Sequence, residues 1–138
     1  MDVRMESTAG LGREAQVWVD GQLLTVCDNV SRPGRRCPPG VLEGVRFTYM
    51  TAAGFTWAQA RQGNRSRRRQ LDADRGWSYT GYGRVLDVMP VRVDFGLLVM
   101  EDANWTTDEG LVGQFVRIGI DRLEIGWSDE PDWPADMA

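Results

Sequence analysis

The stretch Val17-Trp18-Val19-Asp20-Gly21-Gln22-Leu23-Leu24-Thr25-Val26-Cys27-Asp28 returns 74 positions later as Val91-Arg92-Val93-Asp94-Phe95-Gly96-Leu97-Leu98-Val99-Met100-Glu101-Asp102. Val17 and Val91, Val19 and Val93, Asp20 and Asp94, Leu23 and Leu97, Leu24 and Leu98, and Asp28 and Asp102 are identical pairs, and each copy carries a glycine inside its turn. Val91, Val93 and Phe95 alternate with Arg92 and Asp94, the period of two that puts one side of a strand in a core and the other in water. Asp20-Gly21 is a two-residue hairpin signal, because both residues accept the positive φ angles such turns need. A β-hairpin used twice is therefore expected, beside the alternative that two strand-turn-strand segments look alike by chance.

The same alternation places strands near residues 14–20, 22–28, 44–50, 55–60, 77–88, 91–95, 97–101, 114–120 and 122–127, with almost nothing helical between them. Val45, Phe47 and Tyr49 alternate with polar neighbours, and Thr51-Ala52-Ala53-Gly54 before Phe55-Thr56-Trp57 suggests a second hairpin. Pro90 belongs between strands or on an edge, since it cannot donate to a ladder. Short strands and Gly-rich turns argue an all-β fold, a small antiparallel barrel in the C-terminal half with a related N-terminal meander. One domain over residues 1–127 fits the length of 138, with pseudo-repeat halves 1–71 and 72–127. The last stretch holds Asp129, Glu130, Asp132 and Asp136 with two prolines and reads as a loosely ordered acidic tail, 128–138. Neither a secretory leader nor a membrane span is legible, which makes a cytoplasmic location the expectation. Cys27 and Cys37 do not make a disulfide framework; free thiols are expected, a single bridge being the other option.

Histidine is absent, and all 16 basic residues are arginine. That excludes Ser-His-Asp and Cys-His nucleophile arrangements and lysine Schiff bases, and it leaves zinc only two cysteines plus carboxylates. Carboxylates such as Asp87, Asp94 and Asp121 supply no acid/base pair that a sequence can display, since such a pair needs a cleft and a set separation. No phosphate loop, dinucleotide fingerprint or calcium loop is present. The expectation is a non-enzyme without cofactor or metal.

Residues 83–125 carry a resemblance. Gly83-Arg84-Val85, Val91-Arg92-Val93-Asp94-Phe95-Gly96, Leu97-Leu98-Val99, Val112-Gly113-Gln114-Phe115-Val116-Arg117-Ile118 and Arg122-Leu123-Glu124-Ile125 resemble the five successive strands of OB-fold RNA-binding domains of the ribosomal-protein type. The resemblance covers about a third of the chain and implies a five-stranded barrel that binds nucleic acid. It departs from the family where aromatics are usual, because the outward positions of the second strand are Arg92 and Asp94, and Asp94 would repel phosphate.

Charge is divided along the chain. Residues 1–71 carry 11 arginines against 6 acidic residues, whereas residues 72–138 carry 5 against 14. Two acid-free loops concentrate the positive charge: Arg32, Arg35 and Arg36 around Pro33-Gly34, and Arg61, Arg65, Arg67, Arg68 and Arg69 around Gly63-Asn64. Such clusters bind phosphates with release of counterions. They also exist as merely solvated loops, or dock on an acidic protein surface. Trp77, Tyr79 and Tyr82 form the densest aromatic stretch and would offer a stacking platform if exposed beside residues 61–69, or fill a barrel end if not. Trp18, Trp57 and Trp105 are expected in the barrel ends. Two functions follow: a single-strand nucleic-acid binder using the arginine loops and these three rings, or a protein-interaction or self-assembling module that sets its basic half against its acidic half.

Overall fold

The computed structural model describes residues 1–102 and 106–128, of which 53% are strand and 7% helix. The ten strands are β1 (Val3–Thr8), β2 (Glu14–Val19), β3 (Gln22–Asn29), β4 (Gly40–Val41), β5 (Val45–Thr51), β6 (Gln70–Ala73), β7 (Tyr79–Val88), β8 (Val91–Asp94), β9 (Val99–Asp102) and β10 (Phe115–Trp127); α1 (Trp57–Gln62) follows β5, and a 3₁₀ turn, Glu109–Leu111, precedes β10. They form one sheet in the order β4-β1-β2-β3-β10-β5-β9-β8-β7-β6, and a further pairing of β7 with β10 closes β10, β5, β9, β8 and β7 into a five-stranded barrel.

β10 makes this closure possible by changing partner midway. Its first half, Phe115 to Ile120, runs antiparallel to β7, and its second half, Ile120 to Trp127, antiparallel to β5. A register shift between Ile120 and Arg122 moves the inward positions from Val116, Ile118 and Ile120 to Leu123 and Ile125, all at most 2% exposed. An extra residue that bends and twists a strand has this effect. The two strands expected at 114–120 and 122–127 are therefore one. The fifth barrel strand, which the resemblance places at 122–125, is instead β5, from the N-terminal half. The small barrel is present, but its closing strand precedes the β7-β8-β9 meander in the chain.

Glycine lets β7 pack closely against the barrel interior. A side chain on Gly81 would meet the Phe95 ring at 2.5 Å, and one on Gly83 would meet the Asp94 carbonyl oxygen and a Val93 methyl at 2.7 Å. Phe95 itself stands edge-on to Tyr49 at 5.7 Å, and Tyr49 donates its hydroxyl to Asp102 at 2.6 Å inside the core.

The two similar segments agree in facing and differ in closure. Val17, Val19, Val91 and Val93 are all buried. Asp20 and Gly21 adopt positive φ angles of 47° and 86°, so Val17 pairs with Leu24. Residues 95–98 form a longer loop, so Val91 pairs with Asp102. In both copies the shared aspartate, Asp28 or Asp102, is buried.

Residues 55–60, expected as a strand, instead lead into α1 and supply its first four residues. Thr56 caps it by accepting from the Gln59 amide at 3.2 Å, and the sequence Ala-Gln-Ala-Arg-Gln that follows Trp57 has the straight-chain, unbranched residues that lose little freedom in a helix. β1, β4 and β6 were not expected. The charged alternation of Met1-Asp2-Val3-Arg4-Met5-Glu6 is that of a strand with Val3 and Met5 buried. Trp18 is 37% exposed on the outer face of the β1–β3 sheet, donating to Glu6 at 2.8 Å, rather than filling a barrel end. Trp57 is half-buried beside Phe55. Trp105 and the expected acidic tail beyond Ser128 lie outside the described residues. Pro90 stands in the turn between β7 and β8. Cys27 is buried, Cys37 half-buried, and the two are not bridged. Among the described residues no helix is long and apolar enough to cross a membrane.

Candidate nucleic-acid interface

β7 and β10 present a shared outer face, because their inward positions are fixed by the barrel. Tyr82 pairs with Arg117 on one side and Gln70 of β6 on the other, and Arg84 pairs with Phe115 on one side and Asp94 on the other. The face thus carries two half-buried rings, Tyr82 and Phe115, and two exposed arginines, Arg84 and Arg117.

The second arginine loop lies over this face and is anchored by Asn64. That side chain is 4% exposed. Its amide nitrogen donates to the Arg68 carbonyl at 2.9 Å and the Val116 carbonyl at 3.1 Å, and its oxygen accepts from the Arg68 amide at 2.8 Å. Arg67 takes a positive φ of 55° in this turn. As a result the Arg67 guanidinium sits 5.7 Å from the Phe115 ring centre and the Arg68 guanidinium 5.5 Å from that of Tyr82, within the range of cation–π attraction. Arg69 pairs with Asp94 at 3.1 Å and Arg61 with Asp108 at 3.8 Å. Asp94, the residue that would have repelled phosphate, is thereby neutralised. Arg65, Arg67 and Arg68 have no carboxylate partner among the described residues. A concavity of about 530 Å³ opens beside them, lined by Arg61, Asn64, Arg65, Arg67, Arg84 and Phe115 among others and, among the described residues, by no acid. On the far side of Arg117 a smaller one, about 300 Å³, lies between α1 and the strands.

Of the three rings expected to stack, only Tyr82 lies on this face. Tyr79 is a correction: it is 5% exposed, and its hydroxyl donates to the Thr25 carbonyl at 2.9 Å and accepts from the Thr25 amide at 3.0 Å, tying the barrel to the N-terminal sheet. Burial raises its pKa above the usual phenol value. Trp77 is half-buried and lies under Arg122, 5.9 Å away, outside the 61–69 loop. Arg32, Arg35 and Arg36 are also elsewhere, near Trp127 at the opposite end of β10. Phe115, Arg84, Arg117 and Asn64 were missed, although the alternation of Phe115, Arg117 and Gly119 with Val116, Ile118 and Ile120 already put a ring and a guanidinium outward on one strand.

The first loop has its own anchor. Asp28 is fully buried and its carboxylate accepts from Thr8 Oγ1 and Ser31 Oγ at 2.5 Å and from the Val30 and Ser31 amides at 2.8 Å. Burial alone would raise its pKa; the hydrogen bonds from Ser31, Thr8 and the two amides outweigh it and hold the carboxyl below the ordinary aspartate value. Ser31 Oγ in turn accepts from the Cys37 amide at 2.9 Å, so both ends of the loop are fixed. Among the described residues no group of three or more Cys, Asp or Glu is placed to hold a metal ion.

No protein-family model, curated protein or solved structure matches the chain.

Proposed function

We propose that the protein is a non-catalytic binding module that takes single-stranded nucleic acid on the outer face of β7 and β10. One observation carries this reading: a turn locked by buried Asn64 holds Arg67 over Phe115 and Arg68 over Tyr82, beside Arg65, Arg84 and Arg117. Unpaired guanidiniums supply phosphate contacts, and as each turns from its ring to a phosphate it uncovers a face on which a base stacks for about 1–3 kcal/mol. Single strands fit this better than duplex, because a stacked base must leave its partner. The resemblance of residues 83–125 to OB-fold RNA-binding domains points the same way, but the reading does not depend on it.

Fluorescence anisotropy with labelled homopolymeric RNA and DNA strands tests it. Binding is expected at low salt, with an affinity that falls linearly on a log–log plot by about 0.7 per phosphate contacted. Absence of binding at low salt would remove this function and leave the interaction-module reading, for which the exposed pair Trp18 and Leu23 across β2 and β3 is the supporting observation.

A further inference from the structure

The first arginine loop stands in the wall of a cavity that the nucleic-acid reading does not use. The cavity measures about 470 Å³ and is lined by Val30, Ser31, Arg32, Arg35, Arg36, Cys37, Pro38 and Trp127. Its chemistry is mixed in a particular way. Val30, Pro38 and the Trp127 ring form an apolar wall, while the side chains of Arg35 and Arg36 are exposed and have no carboxylate partner among the described residues. No acid lines it. The frame is also rigid: the Arg32 and Arg35 backbones bond each other at 3.1 and 3.0 Å, and the Asp28–Ser31–Cys37 chain of bonds pins the loop to β3. Few convergent polar groups on an apolar cavity of this size are the usual form of a small-ligand site.

We propose that this cavity binds a small anionic ligand with an apolar body, a phosphate monoester or a carboxylate carried on a ring or short chain. The anion lies against Arg35 and Arg36, and its apolar body packs on Val30, Pro38 and Trp127. The site is distinct from the face of β7 and β10, shares no lining residue with its cavities, and does not depend on nucleic-acid binding there.

Nuclear magnetic resonance of the indole N–H signals in the ¹⁵N-labelled full chain tests the proposal, the Trp127 signal being identified from Trp127→Phe. Phenyl phosphate, benzoate and inorganic phosphate are titrated separately. The expected result is a saturable shift of the Trp127 signal by phenyl phosphate or benzoate at an affinity at least about tenfold tighter than that for inorganic phosphate; the tighter of the two names the anion. Arg35→Ala and Arg36→Ala should each weaken it by about tenfold, in keeping with loss of one charge-assisted hydrogen bond, while leaving thermal unfolding unchanged. No saturable shift, equal response to inorganic phosphate, or indifference to both arginine variants would overturn it. Binding that appears only in the Asp129→Asn, Glu130→Gln, Asp132→Asn variant would also overturn it, since the chain's own acidic segment would then be the competitor in place. So would displacement of phenyl phosphate by an oligonucleotide whose binding requires Arg67 and Arg68, which would make both loops one path.

Discussion

The two arginine loops are alike in sequence and differ in what holds them. Both are acid-free and exposed, and charge alone ranks them together. The loop at residues 61–69 is fixed by a neutral anchor, the Asn64 amide, which lays it on a sheet face with rings beneath. The loop at 32–36 is fixed by a charged anchor, the Asp28 carboxylate, and stands as a ridge between two concavities, both lined by Arg32, Arg35 and Arg36. A cluster of cations becomes a site through the surface on which its anchor sets it. The chemistry of the anchor then decides how that surface responds to its surroundings.

The largest effect expected from breaking this comparison is at Asp28. Asp28→Ala leaves two hydroxyls and two amides of a buried network without their acceptor, at about 1–3 kcal/mol for each group that water cannot reach. With partial rescue by solvent the expected loss is about 3–4 kcal/mol of unfolding free energy, measured by urea denaturation. Asn64→Ala strips partners from the Arg68 amide and the Val116 carbonyl and is expected to cost less, about 2 kcal/mol. It should also lower oligonucleotide affinity by about tenfold, because Arg67 and Arg68 lose their setting, whereas Asp28→Ala should leave oligonucleotide affinity unchanged wherever the protein remains folded. Equal loss of oligonucleotide affinity in the two variants would erase the distinction between the loops.

Much of the fold and little of the site was legible in the sequence. The alternation at Val91-Arg92-Val93 and at Val116 to Ile120 reports directly on which side chain meets the core, because a period of two is a local property of a strand. Which strands pair is not local. The bulge at Ile120 to Arg122 looked like a turn between two strands, and β5 looked like part of a separate half, because closure of the barrel depends on β10 reaching β7 and β5 at once. The site suffered for the same reason. Tyr79 and Tyr82 are three residues apart, an odd spacing that must put them on opposite faces of β7, so the aromatic stretch could never have formed one platform. Asn64 reads as turn punctuation between Gly63 and Arg65; its role depends on the Val116 carbonyl, 52 residues away.

A smaller effect separates the anchors by pH. The folded-state pKa of Asp28 lies below its unfolded value, so the stability it supplies is complete above the ordinary aspartate range and is lost as pH falls through the folded-state pKa. Asn64 does not titrate. Protection of the Cys37 amide, bonded to Ser31, measured against its intrinsic exchange rate at each pH, should therefore fall below about pH 4, while protection of the Arg68 amide, bonded to Asn64, follows only global unfolding. Asp28→Asn should remove that acid window for Cys37. Parallel loss of protection at both amides in the wild-type protein would mean that the loops open together.

The smallest effect on stability belongs to the residues expected to matter most for binding. Arg67 and Arg68 are exposed, and their contacts with Phe115 and Tyr82 are cation–π pairs worth about 0.5–1 kcal/mol at such sites. Arg67→Ala and Arg68→Ala should each shift the urea midpoint barely beyond error. Each should nonetheless flatten the salt dependence of oligonucleotide binding by about 0.7, one phosphate contact apiece. Arg36→Ala, equally exposed and equally cationic, should leave that slope alone, because its loop faces the Trp127 cavity at the other end of β10. The slope thus separates position from charge. If all three substitutions flatten it equally, the protein binds polyanions by net charge over its whole basic half, and the locked turn over Tyr82 and Phe115 has no special part in binding.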